Sequence, residues 1–359
     1  MNTFTLNTYR DTLVDFTRDI YFDQDKHSWI VTNNEITKQI LKSDRLLANS
    51  LPDKLANSGL NGPVRDRVAD FYSNWLIYMD GERHQLLRTK VRTYLDGIVR
   101  RFSDETIKRM IINEMASGSK EGLVDFVEIT QKICRQIMAT VFGLKVEEYD
   151  YLVKISRPVT ELLYGYDLEQ IKAQKALDAI GRYHQHLHEL TNAHKLNDNG
   201  FLSQALSDPE ISLSLLINVL VDGEDPLESL EKSIFFLWGQ SGLLNLRSDL
   251  KIIFSIMAPF TYISRIAAED TIIDSVTVKR GQKISCIIPE YQNSGSPHHG
   301  SMAFGQGVHR CLGEPLAVKV AKNTYEILKA KKEQVKMVKY AVNNDFGYFT
   351  FTELLMEVN

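Results

Sequence analysis

The sequence predicts a mainly α-helical fold with small β-sheets, and three observations carry that prediction. Helical periodicity runs almost unbroken from 102 to 205. A long apolar helical run, Ile211 to Trp238, follows it with one acidic interruption. Strand patterns are short and bounded by turns, and most of them fall in two stretches, about 20–45 and 260–300. Of the 359 residues 43% are hydrophobic, ample for a sizeable core, and the length by itself fits two average domains or one large one.

Composition narrows the function classes. A formal net charge of -4 without a basic stripe argues against a nucleic-acid partner. The three cysteines, Cys134, Cys286 and Cys311, lie far apart in sequence, which argues against a disulfide framework or a multi-cysteine metal cluster and fits a reducing cytoplasm. The first eight residues hold no basic segment followed by an apolar run, so neither a signal peptide nor a membrane anchor is expected.

Taken in order, residues 8–22 read as an amphipathic helix. Tyr21-Phe22-Asp23 and Trp29-Ile30-Val31-Thr32 read as a hairpin around the polar turn Gln24-Asp25-Lys26-His27, followed by a helix over 34–41. Residues 44–77 read as loop-rich, with Asn49 to Asp53, Gly59 and Gly62-Pro63 as breakers. A helix then opens at Met79-Asp80-Gly81 and runs to about Tyr94; on it His84 and Arg88, four apart, share a face and can meet one anion. Further helices are expected over about 104–117, 125–142, 146–157 and 167–195, separated by Ser117 to Lys120, Gly143 and Tyr164-Gly165-Tyr166.

His184, His186, His188 and His194 invite a metal reading. Residues two apart point about 200° apart on a helix, so only His184 and His188 can act together, and no carboxylate or cysteine is suitably spaced. A solvated face is the better reading. The run from Ile211 is interrupted by Val221 to Glu228, where Pro226 in a helix interior would remove a hydrogen bond and clash with the carbonyl of Asp222. Val276 to Ile284 reads as a hairpin turning at Arg280-Gly281, and 348–352 and 354–358 read as two closing strands.

One stretch carries the chemistry: Phe304-Gly305-Gln306-Gly307-Val308-His309-Arg310-Cys311-Leu312-Gly313. Gly305, Gly307 and Gly313 let the backbone turn tightly and approach a flat ligand closely, since none has a Cβ. Cys311 lies just before the helical run from Glu314 to Ala321, near a positive helix end that stabilises a thiolate.

The spacing Phe-x-x-Gly-x-His-x-Cys-x-Gly, matched by Phe304, Gly307, His309, Cys311 and Gly313, resembles the heme-binding loop of the cytochrome P450 family. The resemblance implies a single heme-thiolate domain over 1–359, of the soluble bacterial type. It implies heme b (iron protoporphyrin IX) as cofactor, with Cys311 as the thiolate ligand to the metal. Phe304, Gly305, His309 and Gly313 would line the cofactor. His84 and Arg88 match the helix that grips the heme propionates, and Arg265, in Arg265 to Asp270, matches the strand whose arginine reaches one. It also makes 44–77 a candidate lid over the substrate pocket, and the closing strands a hairpin whose tip reaches that pocket.

Three departures from the family pattern stand out. The distal helix normally reads Ala/Gly-Gly-x-Asp/Glu-Thr; here it holds Asp222, Gly223, Glu224, Asp225 and Pro226. The alcohol that helps to deliver protons during oxygen activation is lost, so a water held by Asp225 or Glu224, or a substrate hydroxyl, would replace it. Asp225, Glu224 and Pro226 are therefore the catalytic candidates. The Glu-x-x-Arg slots hold Ile252 and Ser255, and the shortened meander Glu290 to Ser301 contains no arginine to pair with that glutamate. Joint loss is coherent, because removing every member of a buried ion network costs far less than removing one.

The resemblance implies an oxidoreductase, a P450-type monooxygenase acting on a small organic molecule in secondary metabolism, with atypical oxygen activation. A ferredoxin or flavodoxin-like protein would donate electrons, and Arg310, Lys319 and Lys322 would suit such an acidic partner. The alternatives are a heme-thiolate enzyme that uses peroxide or performs desaturation, coupling, rearrangement or dehydration, and a non-catalytic heme-binding protein.

Overall fold

The computed structural model describes residues 14–118, 122–164, 168–241, 244–288, 302–331, 335–345 and 347–358. The chain is mostly helical with small sheets, as expected, and divides into two compact units. The first comprises the described residues of Met1–Leu47, Asp104–Ile133 and Asp225–Asn359; the second comprises those of Ala48–Ser103 and Cys134–Glu224.

In the first unit, β1 (Ile20–Asp23) and β2 (Ser28–Val31) form the expected hairpin, with Phe22 opposite Trp29. They join β8 (Lys283–Ile287), β5 (Tyr262–Ala267) and β3 (Leu46–Leu47) in one sheet of order β1-β2-β8-β5-β3. Strands within 20–47 and within 262–287, far apart in sequence, thus meet in one sheet. Helix α1 (Asn34–Lys42) starts where the Asn33 side chain caps the Glu35 and Ile36 amides. Its Ile36 and Ile40 pack with Val31, Leu46, Ala267, Ile284 and Cys286 in a core under the sheet.

Two expectations fail here for local reasons. Residues 14–19 are turns, so the helix expected over 8–22 is absent in its described part, and 8–13 lie outside the described residues. Asp15 takes the Thr17 amide and hydroxyl, a short-range alternative to helix, and its own amide donates to the Tyr21 hydroxyl at 2.8 Å. The turn at Arg280-Gly281 exists, with Gly281 at φ 80°, but no hairpin of the two flanking strands results. β7 (Val276–Val278) pairs with β6 (Thr271–Ile273), while β8 inserts between β2 and β5.

The rest of the unit is built on helices α5 (Asp104–Gly118), α11 (Glu224–Ser241), α12 (Leu246–Ile256) and α13 (Glu314–Ala330), with a second sheet of order β4-β10-β9. β10 (Tyr348–Val358) is one strand, with an irregularity between Phe351 and Glu353 where two strands were expected. Its partners β9 (Val335–Asp345) and β4 (Gly122–Asp125) were not legible in the sequence. Phe236 of α11 stacks on Phe351 with ring centroids 4.7 Å apart.

The second unit holds α2 (Leu51–Ala56), α3 (Gly62–Tyr72), α4 (Gly81–Arg101), α7 (Val146–Tyr164), α8 (Gln170–Asn192), α9 (Phe201–Leu206) and α10 (Leu213–Val221). Between the units' sequence segments runs α6 (Phe126–Phe142). The stretch 44–77, read as loop, is largely helical. Its apparent breakers are start signals: Asn49 accepts from the Leu51 amide, Asn61 caps Val64, and Pro63 sits in the first turn of α3. Helix α7 continues through Pro158 to Tyr164 instead of ending near 157.

Candidate functional site

The cysteine loop is closed by its own backbone. The Cys311 amide donates to Phe304 O at 2.7 Å, the Gly305 amide to Met302 O at 2.8 Å, and Gly307–His309 make one 3-10 turn. Gly305 (φ 66°) and Gly307 (φ 72°) both require the left-handed region. A Cβ on Gly307 would also run into the carbonyl of Leu41, so the loop lies flush on the end of α1. Gly313 differs from its expected role: at φ -79° it is an ordinary helical N-cap of α13, with the Cys311 Sγ 3.8 Å from where a Cβ would stand.

Cys311 is exposed, two residues ahead of the α13 N-cap. Phe304 is half-buried and packs edge-on to Phe254 of α12, centroids 5.2 Å apart. His309 is half-buried at the end of the short turn. Arg310 is held by Glu314 through two bonds of 2.6 Å, and Lys319 stands 3.6 Å from Asp104, so these two cations are already matched by acids of this chain.

Arg265 belongs to the same neighbourhood through β5. Residues 263 and 265 share one face of the strand. Ile263 Cδ1 would be 3.3 Å from a Gly305 Cβ, which sets that face against the cysteine loop. Arg265 is 5% exposed and donates to Ser264 O at 2.8 Å. Burial pushes the Cys286 thiol, on the adjoining strand, up to about 12, with the Arg265 guanidinium opposing the shift.

In the second unit, Asp80 at the head of α4 accepts the amides of Ala48 and Asn49 at 3.2 and 3.0 Å. His84 is fully buried, in line with Leu87 and Val91, and Arg88 follows one turn on and is half-buried. The pair does share a helix face.

The apolar helical run from Ile211 is divided, not kinked. α10 ends at Val221, Asp222 and Gly223 are non-helical, and α11 begins at Glu224. Pro226 therefore sits in a first turn, where the missing N–H has no intrahelical partner, and the expected clash with the Asp222 carbonyl does not arise. The three candidates part company here. Asp225 is exposed and Pro226 half-buried. Glu224 is 5% exposed and turned inward: Arg135 Nε stands 3.3 Å from its Oε1, and Arg135 Nη1 is 3.3 Å from Asp150. Burial, with the Glu224 charge second, pushes the phenols of Tyr149 and Tyr183 well up.

The Ile252 slot on α12 is half-buried, and Ser255 lies where the side chains are outside the description, as does the whole meander Glu290 to Ser301. What ties the helices here is a different set of polar groups. Asp249 of α12 accepts from the Tyr325 hydroxyl of α13, and Glu231 of α11 accepts from Thr324 of α13 at 2.5 Å. Glu228 and Lys232 form an ion pair of 3.0 Å with side chains 9% and 6% exposed. These residues were missed, although charges inside the apolar run Leu227 to Trp238 were the available signal. Among the described residues no group of histidines, cysteines and acids could hold a metal ion; His184, His188 and His194 are exposed and His186 pairs with Glu148 at 3.0 Å.

An exposed thiol on a loop with two left-handed glycines, at the positive end of a helix, fits a flat cofactor ligated through sulfur. No family model matches the chain. In sequence it is similar to pulcherriminic acid synthase of Bacillus subtilis (strain 168), 21% identical over 376 residues, with 92% of this chain and 87% of that protein covered. In structure it is similar to CalO2 (TM-score 0.78, 14% identity, 95% of this chain and 93% of that one). The chain has the cytochrome P450 fold. P450BioI, in complex with hexadec-9Z-enoic acid ligated acyl carrier protein, matches at TM-score 0.75 with 17% identity over 96% and 95% of the two chains. CYP109E1 from Bacillus megaterium, in complex with testosterone, matches this P450 fold at 0.73 with 16% identity over 96% of each.

Proposed function

We propose that this P450-fold chain is a heme-thiolate oxidoreductase acting on a small organic molecule. The observation that carries the reading is Cys311, exposed on a loop closed by its amide on Phe304 O and placed just before α13. Bound heme b would supply the redox chemistry and the activation of oxygen or peroxide. Cys311 would ligate the metal, with Phe304, Gly305 and Gly313 shaping the loop around the cofactor. His84, Arg88, Arg265 and His309 would pair with its two propionates.

On the oxygen side the chain's own residues divide the work. Glu224, clamped by Arg135, would fix the start of α11 rather than move a proton. Asp225, exposed on the next residue, would hold the water that delivers protons. Pro226 supplies no hydroxyl, which favours a second reading: use of peroxide, or desaturation, coupling, rearrangement or dehydration in place of oxygen insertion. A non-catalytic heme-binding role is the remaining alternative.

The name of the similar pulcherriminic acid synthase supports a place in specialised metabolism. No helix among the described residues is long and apolar enough to cross a membrane, in keeping with a cytoplasmic enzyme served by a ferredoxin or flavodoxin-like donor. The test is spectroscopic. Reduced holoprotein with carbon monoxide should show the absorption band diagnostic of thiolate ligation, and Cys311→Ala should abolish it. Turnover with ferredoxin and its reductase supports the monooxygenase; turnover with peroxide alone supports the second reading. Failure to bind heme sinks every version.

A further inference from the structure

A cleft of about 280 Å³ lies between α13 and the first residue of α5, outside the residues assigned above to the cofactor. Pro315, Val318, Lys319, Lys322, Asn323 and Glu326 line it from α13 as one stripe at helical spacing, and Asp104 closes it from α5. Asn323 is 4% exposed, and both hydrogens of its amide are spent, on Asp104 Oδ1 at 3.1 Å and on Lys319 O at 2.8 Å. What this side chain offers the cleft is therefore Oδ1, an acceptor to which no described residue donates.

Asp104 stands beside it. The Asn323 amide, and then the Lys319 ammonium 3.6 Å away, hold the Asp104 carboxyl below its ordinary value, so it is an anion at neutral pH. One end of the cleft thus holds a carboxylate and a carbonyl, both acceptors. The other end holds a cation without an acid. Lys322 is exposed and makes no hydrogen bond or ion pair among the described residues. Glu326, one turn on and spaced to pair with it, is taken instead by Lys108 of α5 at 2.6 Å. Val318, one turn before Lys322, and Pro315 before that add an apolar wall.

The charges lining the cleft, Lys319 and Lys322 against Asp104 and Glu326, cancel. A simple anion meets two carboxylates there and a simple cation meets two ammonium groups, so half of the lining opposes each. A zwitterion satisfies both ends, its ammonium on Asp104 and Asn323 Oδ1 and its carboxylate on Lys322. The volume stands at the lower end of small-molecule sites, roughly 300 Å³, which suits one amino acid better than a peptide. We propose that this cleft binds a free α-amino acid with an apolar side chain, the side chain resting on Pro315 and Val318. It is a second site, and it does not depend on the heme-thiolate reading.

The probes are L-valine, L-valinamide, which lacks the carboxylate, and N-acetyl-L-valine, which lacks the ammonium, each titrated into the holoprotein by calorimetry. Wild type should bind valine at least tenfold more tightly than either analogue, the scale of a hydrogen bond to a charged group. Lys322→Met should weaken valine at least tenfold and leave valinamide unchanged. Lys329→Met, at an exposed lysine two turns further along α13 and outside the cleft, should change neither. Thermal melts confirm that the variants fold. Absence of valine binding, equal binding of the three probes, or unchanged valine affinity in Lys322→Met would each overturn the proposal. So would valine binding that shifts the heme Soret band and is untouched by Lys322→Met, which places the ligand at the iron.

Discussion

The Thr324 hydroxyl donates to the Glu231 carboxylate at 2.5 Å, joining the helix that follows the cysteine loop to α11. Glu231 is fully buried, and burial raises its carboxyl from 4.5 to about 7, Thr324 opposing the shift. The folded state therefore holds a proton that the unfolded state releases above 4.5. Its contribution to stability is complete below that value, falls as pH rises, and is gone above about 7. The swing is about 3 kcal/mol. Denaturant unfolding of wild type and Glu231→Gln at pH 4.5 and 7.5 should show the variant gaining on wild type by that order. Parallel changes in the two proteins would refute the assignment.

Gly307 and Gly313 look alike in sequence and should behave differently. Gly307→Ala forces a left-handed residue against the Leu41 carbonyl and should cost about 2 kcal/mol or more. Gly313→Ala, in an ordinary helical conformation, should cost less than about 1 kcal/mol. Thermal melting of the heme-free proteins measures both, and equal losses would contradict the geometry.

The Glu228–Lys232 pair is a test of joint removal. Lys232→Met leaves a carboxylate buried beside an apolar chain and should cost about 3 kcal/mol, whereas Glu228→Gln together with Lys232→Met should recover most of it. A double variant as unstable as the single one would show that Glu228 has a larger role than pairing.

Arg135→Met should disturb the helix break more than the global fold. Its side chain is 33% exposed, so the loss is discounted to about 1–2 kcal/mol. Amide hydrogen exchange should speed up at Glu224, Asp225 and Leu227 and stay unchanged on α13. Uniform acceleration across the chain would assign Arg135 to general stability alone.

Local patterns in the sequence were enough for what depends on local chemistry. The loop from Phe304 to Gly313 was legible because its spacing resembles the heme-binding loop of the cytochrome P450 family, and most helices were legible from periodicity. The break after Val221 was visible as well, although its form was not. Sequence placed Pro226 inside a helix; the fold starts a new helix at Glu224, because Arg135 and the buried helix core hold that residue inward.

What only the tertiary structure decided were partners distant along the chain. β8 passes over its sequence neighbour β7 to lie between β2 and β5, and β4 finds β10 more than two hundred residues later, pairings no local pattern encodes. The same holds for the acids. Asp222, Glu224, Asp225, Glu228 and Glu231 are indistinguishable as a run of charges in one helical stretch. Packing gave four of them different neighbours, Asn218 for Asp222, Arg135 for Glu224, Lys232 for Glu228 and Thr324 for Glu231, and left Asp225 exposed. A carboxylate's role is set by desolvation and by the charge or donor beside it. Both are properties of the folded chain.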